Sequence, residues 1–89
     1  MTVRWLVRGR VQGVGFRYFV LRRAQAVGLA GWTRNLPGGE VEVVARGTDE
    51  QLGFLDGALR EGPSRAQVVH VDRQEIPDDP ALPKSFDIR

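Results

Sequence analysis

The 89-residue sequence lacks several features that would assign it to particular classes of protein. It contains no cysteine, which excludes a disulfide framework, a thiolate metal site and a cysteine nucleophile. No apolar run approaches the roughly 18 residues of a membrane span. The N-terminus also lacks the apolar segment and small-residue cleavage site of a signal peptide. We therefore expect a single cytoplasmic domain over residues 1–89, a monomer with no membrane association.

Basic residues other than arginine are almost absent, since twelve of the thirteen are Arg. Residues 1–46 hold eight Arg and two Glu, a net charge of +6, whereas residues 47–89 hold five basic and nine acidic residues, a net charge of −4. An anionic ligand would therefore be attracted to the N-terminal half. Arginine suits planar recognition of phosphate or carboxylate groups. Codon bias or a thermophilic preference is the alternative explanation of its abundance.

Five segments have the composition and alternation of β-strands. Apolar and polar residues alternate in "VRWLV" (3–7) and again in "EVEVVAR" (40–46), which indicates half-buried strands. The segment "LAGWTRNL" (29–36) is joined to the second of these by a "PGG" turn, so the two predict a β-hairpin. A fourth strand is predicted in "AQVVHVDRQEI" (66–76), and a short closing strand in "SFDIR" (85–89).

Two further segments have helical periodicity. Apolar residues recur at helical spacing from Phe16 to Val27, and Gly28 is a helix stop signal. Thr48 and Gln51 form a predicted capping box that begins a second helix. The resulting order, β-α-β-β-α-β with a short C-terminal strand, predicts an α+β, ferredoxin-like fold. We expect an antiparallel sheet with both helices on one face.

The first helix begins without any of the usual start signals. The second helix has a hydroxyl cap followed by acidic residues, whereas the first begins within the glycine-rich "GRVQGVGFR" (9–17). Its cap candidates Gly13, Val14 and Gly15 have no side-chain acceptor, and Arg17 adds a positive charge. A helix N-terminus leaves about four N–H groups unpaired and carries a partial positive charge. An anion would satisfy both. The N–H groups of residues 12–16 are candidates for a phosphate cradle, and Arg17 for a bidentate phosphate contact.

This loop also has a purely structural interpretation, as a glycine-rich turn followed by a solvated arginine. It is not a Walker A loop, because no Gly-Lys-Ser/Thr follows, and it does not match Gly-x-Gly-x-x-Gly. The residues alone therefore indicate an anion site without identifying the anion.

The sequence resembles the acylphosphatase family. "GRVQGVGFRYFV" (9–20) matches the family signature V-Q-G-V-x-F-R, and "GWTRNLPGGEVEV" (31–43) matches its second signature, G-W-x-x-N. "GPSRAQVVHV" (62–71) and "FDIR" (86–89) resemble the last third of the family, so the similarity covers essentially the whole chain. "PDDPALPKS" (77–85) is less typical of it.

The resemblance implies hydrolysis of acyl phosphates to a carboxylate and inorganic phosphate. It gives Arg17 the role of the phosphate-binding arginine and Asn35 that of orienting the attacking water. By the same match, it implies a substrate-binding cradle that consists of Gln12, Gly13, Val14, Gly15 and Phe16. Neither Arg17 nor Asn35 is a useful base at neutral pH, so we expect a substrate-assisted reaction. It would need no covalent intermediate, no metal and no other cofactor.

Other polar residues give weaker signals. His70 has no partner motif, and Asp78 with Asp79 lies in a proline-rich segment with no third ligand, so we assign none of them a site. We expect Trp5, Trp32 and Phe86 to be packing residues, and Arg8, Arg10 and Arg34 to be solvated arginines that attract anions.

Two other functions share parts of this pattern. An RRM domain has the same order of elements, but its third strand carries aromatics, whereas "EVEVVAR" has none. We therefore expect no nucleic-acid partner. A non-catalytic phosphate-sensing domain would retain the cradle without turnover, and only an assay distinguishes it from an enzyme.

Overall fold

The computed structural model describes all 89 residues and contains five strands and two helices. In chain order they are β1 (Thr2–Arg10), α1 (Phe16–Ala26), β2 (Ala30–Asn35), β3 (Val41–Arg46), α2 (Asp49–Glu61), β4 (Gln67–Ile76) and β5 (Phe86–Ile88). This is the predicted order. Neither helix combines the length and the apolar character that crossing a membrane requires.

The strands form one sheet in the order β4-β1-β3-β2-β5. The predicted antiparallel arrangement is confirmed for the four long strands. The short strand β5 adds a parallel pair at the edge, where Phe86 lies opposite Gly31 of β2, so the sheet as a whole is mixed. Because β3 lies between β1 and β2, the ends of β1 and β2 are brought close together only by the tertiary fold.

The core lies between the sheet and the two helices. Its central side chains, all at most 1% exposed, are Val3, Trp5, Val7, Phe16, Val20, Val41, Val43, Leu52, Leu55 and Leu59. These are the residues that the strand alternation and the helical spacing predict. Burial of each large apolar side chain contributes about 1.5–3 kcal/mol. The indole N–H of Trp5 donates a 3.0 Å hydrogen bond to Asp56, which satisfies the one polar atom of this buried ring.

The α2 N-terminus has the predicted capping box. The Gln51 N–H donates to the Thr48 hydroxyl at 3.2 Å, and the Gln51 side chain accepts from the Thr48 N–H at 2.8 Å. Asp49 and Glu50 follow in the first turn, where carboxylates interact favourably with the helix dipole. This helix start is therefore fully satisfied within the chain.

The opposite face of the sheet carries ion pairs. Glu42 is buried there and accepts hydrogen bonds from Arg4 at 2.5 Å and from Arg34 at 2.6 Å. Arg8 lies 3.2 Å from the Glu40 carboxylate. Arg8 and Arg34 are exposed, as the sequence predicts, but each also forms an ion pair that it does not predict, because the sheet register places acidic side chains beside them.

Trp32 also departs from its predicted role as a packing residue. It is only half-buried, and the guanidinium groups of Arg34 and Arg89 lie 5.1 and 4.9 Å from its ring. Its neighbour Thr33 points into the core instead, with its hydroxyl donating to the Glu42 carbonyl oxygen at 2.9 Å. The aromatic ring of Trp32 therefore stacks with cations on the polar face of the sheet.

Candidate active site

The loop between β1 and α1 has alternating backbone handedness. Gly13 has φ 74° and Gly15 has φ 76°, both left-handed, whereas Val14 between them does not have a positive φ. A Cβ added to either glycine would meet no atom within 4 Å. The glycines are thus needed for their backbone conformation rather than for lack of space. Successive N–H groups in such an alternation form a concave, anion-binding nest.

The N–H groups of this loop have no acceptor within the protein. None of those of residues 12–15 donates a hydrogen bond to the backbone or to a side chain. The first backbone bond of α1 is donated by Phe19 to the Gly15 carbonyl oxygen. Gly15 provides no side-chain cap, and the first turn of α1 contains no acidic residue. The predicted absence of a cap at α1 is therefore confirmed, in contrast to the capping box of α2.

Arg17 and Asn35 line the same cleft, although they belong to α1 and to the end of β2. The cleft has a volume of about 300 Å³, and its lining residues are Val11, Gly13, Gly15, Phe16, Arg17, Tyr18, Asn35 and Ile88. No Asp or Glu lines it. We refer to it below as the loop cleft.

The two polar side chains of the loop cleft are lightly engaged. The Arg17 guanidinium makes one hydrogen bond within the chain, a 3.5 Å approach of Nη1 to the main-chain oxygen of Arg89. The Asn35 side chain is exposed and makes no hydrogen bond within the protein. Both therefore have donor or acceptor capacity available for a ligand.

The side chain of Gln12 connects the loop to the hairpin beyond Asn35. Its amide Nε2 donates to the carbonyl oxygens of Leu36 at 2.8 Å and Glu40 at 2.9 Å. The sequence predicts Gln12 only as part of the backbone cradle, whereas its side-chain nitrogen is engaged by the hairpin. The only sign of this contact in the sequence is a glutamine within a glycine-rich loop. The tertiary fold brings its acceptors to it, so the sequence alone does not identify them.

The other cradle residues contribute through the backbone. The Phe16 side chain is buried in the core, and Val14 packs partly against that core. Phe16 lines the loop cleft, whereas Val14 does not. That their N–H groups bind a ligand stays a prediction from the sequence.

The remaining polar candidates lie outside the loop cleft. His70 is exposed on β4, with Nε2 2.8 Å from the Asp72 carboxylate. Asp78 accepts a hydrogen bond from the Thr2 hydroxyl, and Asp79 accepts one from the Ala81 N–H at 2.9 Å. No group of three or more His, Cys, Asp or Glu side chains is arranged to hold a metal ion.

Comparison with known proteins identifies the chain's relatives. The acylphosphatase family model matches residues 3–88. An acylphosphatase of Nitratidesulfovibrio vulgaris is 52% identical over 87 residues, covering 93% of this chain and 84% of the relative. The crystal structure of acylphosphatase from Bacillus subtilis superposes with a TM-score of 0.92 at 36% identity, covering 99% of this chain and 97% of the other. The structure of an acylphosphatase from Coxiella burnetii gives a TM-score of 0.89 at 38% identity, with coverages of 99% and 90%.

Proposed function

The chain belongs to the acylphosphatase family and is an enzyme that hydrolyses acyl phosphates, and we propose that it does so in the loop cleft with Arg17, Asn35 and the N–H groups of residues 12–16. The observation that carries this proposal is that Arg17 of α1 and Asn35 at the end of β2 line one cleft with the left-handed glycines. The products are a carboxylate and inorganic phosphate.

The phosphoryl group binds at the start of α1. The free N–H groups of the loop and the positive end of the helix dipole both point to an anion there. Arg17 adds a planar guanidinium that can contact two phosphate oxygens. Together these groups stabilise the charge on the equatorial oxygens as the transition state forms.

Asn35 orients the attacking water. Its side-chain carbonyl oxygen accepts a hydrogen bond from the water, which directs a lone pair of the water oxygen at phosphorus. A new bond forms between the water oxygen and phosphorus. The bond between phosphorus and the acyl oxygen breaks, and its electron pair leaves with the carboxylate. One water proton passes to a phosphate oxygen, which serves as the base.

The lining of the loop cleft supports direct attack by water. It contains no Ser, Thr, Cys, His, Asp or Glu, and Tyr18 carries its only hydroxyl. Apart from the Tyr18 hydroxyl, the lining therefore offers no side chain that could form a covalent phosphoenzyme. In this scheme Arg17 supplies the cationic charge and the reaction uses no metal or other cofactor. The cytoplasmic location, the monomeric state and the absence of a nucleic-acid partner stay predictions from the sequence.

Turnover of benzoyl phosphate, followed by ultraviolet absorbance in the presence of EDTA, tests the proposal. We expect Arg17→Ala to lower kcat/KM by about 10²-fold or more and to weaken inhibition by inorganic phosphate. Asn35→Ala should lower kcat by a similar factor while phosphate inhibition is largely retained. Arg46→Ala is the matched control, because Arg46 lies at the opposite end of the sheet, beside Thr2.

Three results would contradict parts of the scheme. Near-normal activity of Asn35→Ala excludes the water-orienting role. Loss of turnover with EDTA excludes the metal-free reaction. A phosphorylated protein trapped by rapid quenching during turnover excludes direct attack by water.

A further inference from the structure

A second cleft adjoins the loop cleft and shares Gly13 with it. It has a volume of about 670 Å³ and is lined by Arg10, Gln12, Gly13, Val14, Ser64 and Arg65. Five of these six residues are not hydrophobic, and none is acidic. We call it the outer cleft. Its volume is larger than that of the loop cleft, and it lies next to the cradle on which the phosphoryl group is proposed to bind.

The two arginines of the outer cleft have no anionic partner. Neither Arg10 nor Arg65 takes part in an ion pair or a side-chain hydrogen bond. Four other arginines, Arg4, Arg8, Arg34 and Arg60, do form ion pairs, as Arg60 does with Asp56 at 2.9 Å. Of the three arginines that the sequence predicts to be solvated, only Arg10 forms no ion pair.

The fold brings these arginines together from distant parts of the chain. Arg10 is the last residue of β1 and pairs with Gln67 at the start of β4. Arg65 lies two residues before Gln67, in a turn that the Ala66 N–H closes by donating to the Pro63 carbonyl oxygen at 3.0 Å. The β1–β4 ladder thus places two positive charges on one cleft.

A third cleft beside Gly15 is a weaker candidate for the same role. It is lined in part by Arg22 and Arg23, but the Arg23 guanidinium lies 5.0 Å from the Phe19 ring and is engaged there. Arg10 and Arg65 have no such contact, so the outer cleft offers the more available positive charge.

We propose that the outer cleft binds a second negative group, a carboxylate or a phosphate, on the acyl part of the substrate. This inference rests on the proposed function, because the acyl phosphate must first be held by the cradle. Gly13 has no side chain to separate the two clefts, so an acyl chain can extend from the phosphoryl group past Gly13 to Arg10 and Arg65. The enzyme then prefers acyl phosphates with an anionic end to those with a neutral acyl group.

Stable phosphonates provide the test, since they combine an anion for the cradle with a chain of chosen length. The probes are phosphonoacetate, 3-phosphonopropionate and 4-phosphonobutyrate, each compared with the alkyl phosphonate of the same chain length, and two bisphosphonates of similar reach. Inhibition of benzoyl phosphate turnover is measured for each. We expect at least one doubly anionic probe to inhibit about tenfold better than its alkyl partner, from two partly exposed charge pairs.

Substitution of the two arginines identifies the source of the advantage. Arg10→Ala and Arg65→Ala should each reduce inhibition by the doubly anionic probe much more than inhibition by inorganic phosphate. Arg46→Ala removes the same charge from the other end of the sheet and should leave the advantage intact. High salt should shrink the advantage, because partly exposed charges are screened.

The outcomes separate this inference from the proposed function. Normal inhibition by inorganic phosphate, with no advantage for any doubly anionic probe, overturns the inference alone. An advantage that Arg46→Ala removes as strongly as Arg65→Ala also overturns it, because general charge then explains the effect. Absence of inhibition by inorganic phosphate refutes the cradle itself.

Discussion

Replacement of Gly15 by alanine isolates the backbone conformation of the cradle. Gly15 has φ 76° and ψ 20°, and an added Cβ would meet nothing within 4 Å. The substitution therefore introduces no clash, and its cost comes from the left-handed backbone, which disfavours an L-residue by roughly 1–2 kcal/mol. Restriction of the unfolded chain by alanine offsets about 0.4–1 kcal/mol of this. We expect the free energy of unfolding to fall by about 1 kcal/mol.

Gly57→Ala is the matched control, since Gly57 is an exposed residue within α2 whose added Cβ also meets nothing. There alanine should stabilise the protein by about 0.5–1 kcal/mol, because glycine is unfavourable inside a helix. Urea denaturation of the two variants measures both values. For a chain of this size, each kcal/mol shifts Tm by about 4–8 °C.

Phosphate supplies a second measurement on the same variants. A ligand at about one hundred times its dissociation constant stabilises the folded state by about 2.7 kcal/mol. That gain should be full for Gly57→Ala and smaller for Gly15→Ala, whose strained loop no longer directs its N–H groups correctly. If Gly15→Ala instead stabilises the protein as Gly57→Ala does, the left-handed cradle does not exist in solution and the reasoning fails.

Three further substitutions test other parts of the structure. Gln12→Ala removes two hydrogen bonds to backbone carbonyls and should cost about 1–2 kcal/mol in urea denaturation. It should also lower kcat by at least about tenfold, because the loop loses its connection to the hairpin that carries Asn35. An unchanged kcat would show that Gln12 does not position the loop relative to Asn35. Thr48→Ala should cost about 1 kcal/mol with unchanged turnover, and an undiminished free energy of unfolding would contradict the cap. Burial tends to raise the pKa of the Glu42 carboxyl, but its hydrogen bonds from Arg34 and Arg4 outweigh this and hold the pKa below its usual value. Stability from Glu42 is thus present above the carboxyl's ordinary pKa and is lost as the pH falls through the folded-state value. In urea denaturation near pH 7, Glu42→Gln should therefore have a lower free energy of unfolding than the native protein. This difference should narrow in acid, and a difference that does not change with pH would refute the ion pairs.

The sequence predicts most of the fold because its apolar residues are spaced regularly. The alternation from Val3 to Val7 and the helical spacing from Phe16 to Ala24 each have only one face that can be buried. Local signals at Thr48 and Gln51 also determine the start of α2. These predictions depend on residues close together in the sequence, and the structure confirms them.

The parts that were missed depend on pairings between distant segments. The parallel pairing of β5 with β2 involves only three residues, too few for a distinctive pattern. The ion pairs of Arg8 and Arg34 follow from strand register, which the composition of a single strand does not reveal. The aromatic character of Trp32 predicts a packing residue, but the alternation of β2 directs Thr33 inward instead.

The candidate site was predicted unevenly for the same reason. The uncapped start of α1 is a local feature, so the cradle and Arg17 could be proposed from the residues alone. Asn35 enters only through the family signature, because β3 separates β2 from β1. The side-chain contacts of Gln12 and the outer cleft with Arg10 and Arg65 have no counterpart in any one stretch of the sequence.

The carbonyl oxygen of Glu40 joins the hairpin and the cradle at one atom. It accepts from the Leu36 N–H at 2.8 Å, which closes the hairpin, and from the Gln12 side chain at 2.9 Å. Displacement of this oxygen when the hairpin tip frays therefore breaks both bonds at once and leaves only the Gln12 bond to the Leu36 carbonyl oxygen between the loop and the hairpin. Hydrogen–deuterium exchange at the Leu36 amide then reports how often this connection between the hairpin and the loop opens in the folded protein.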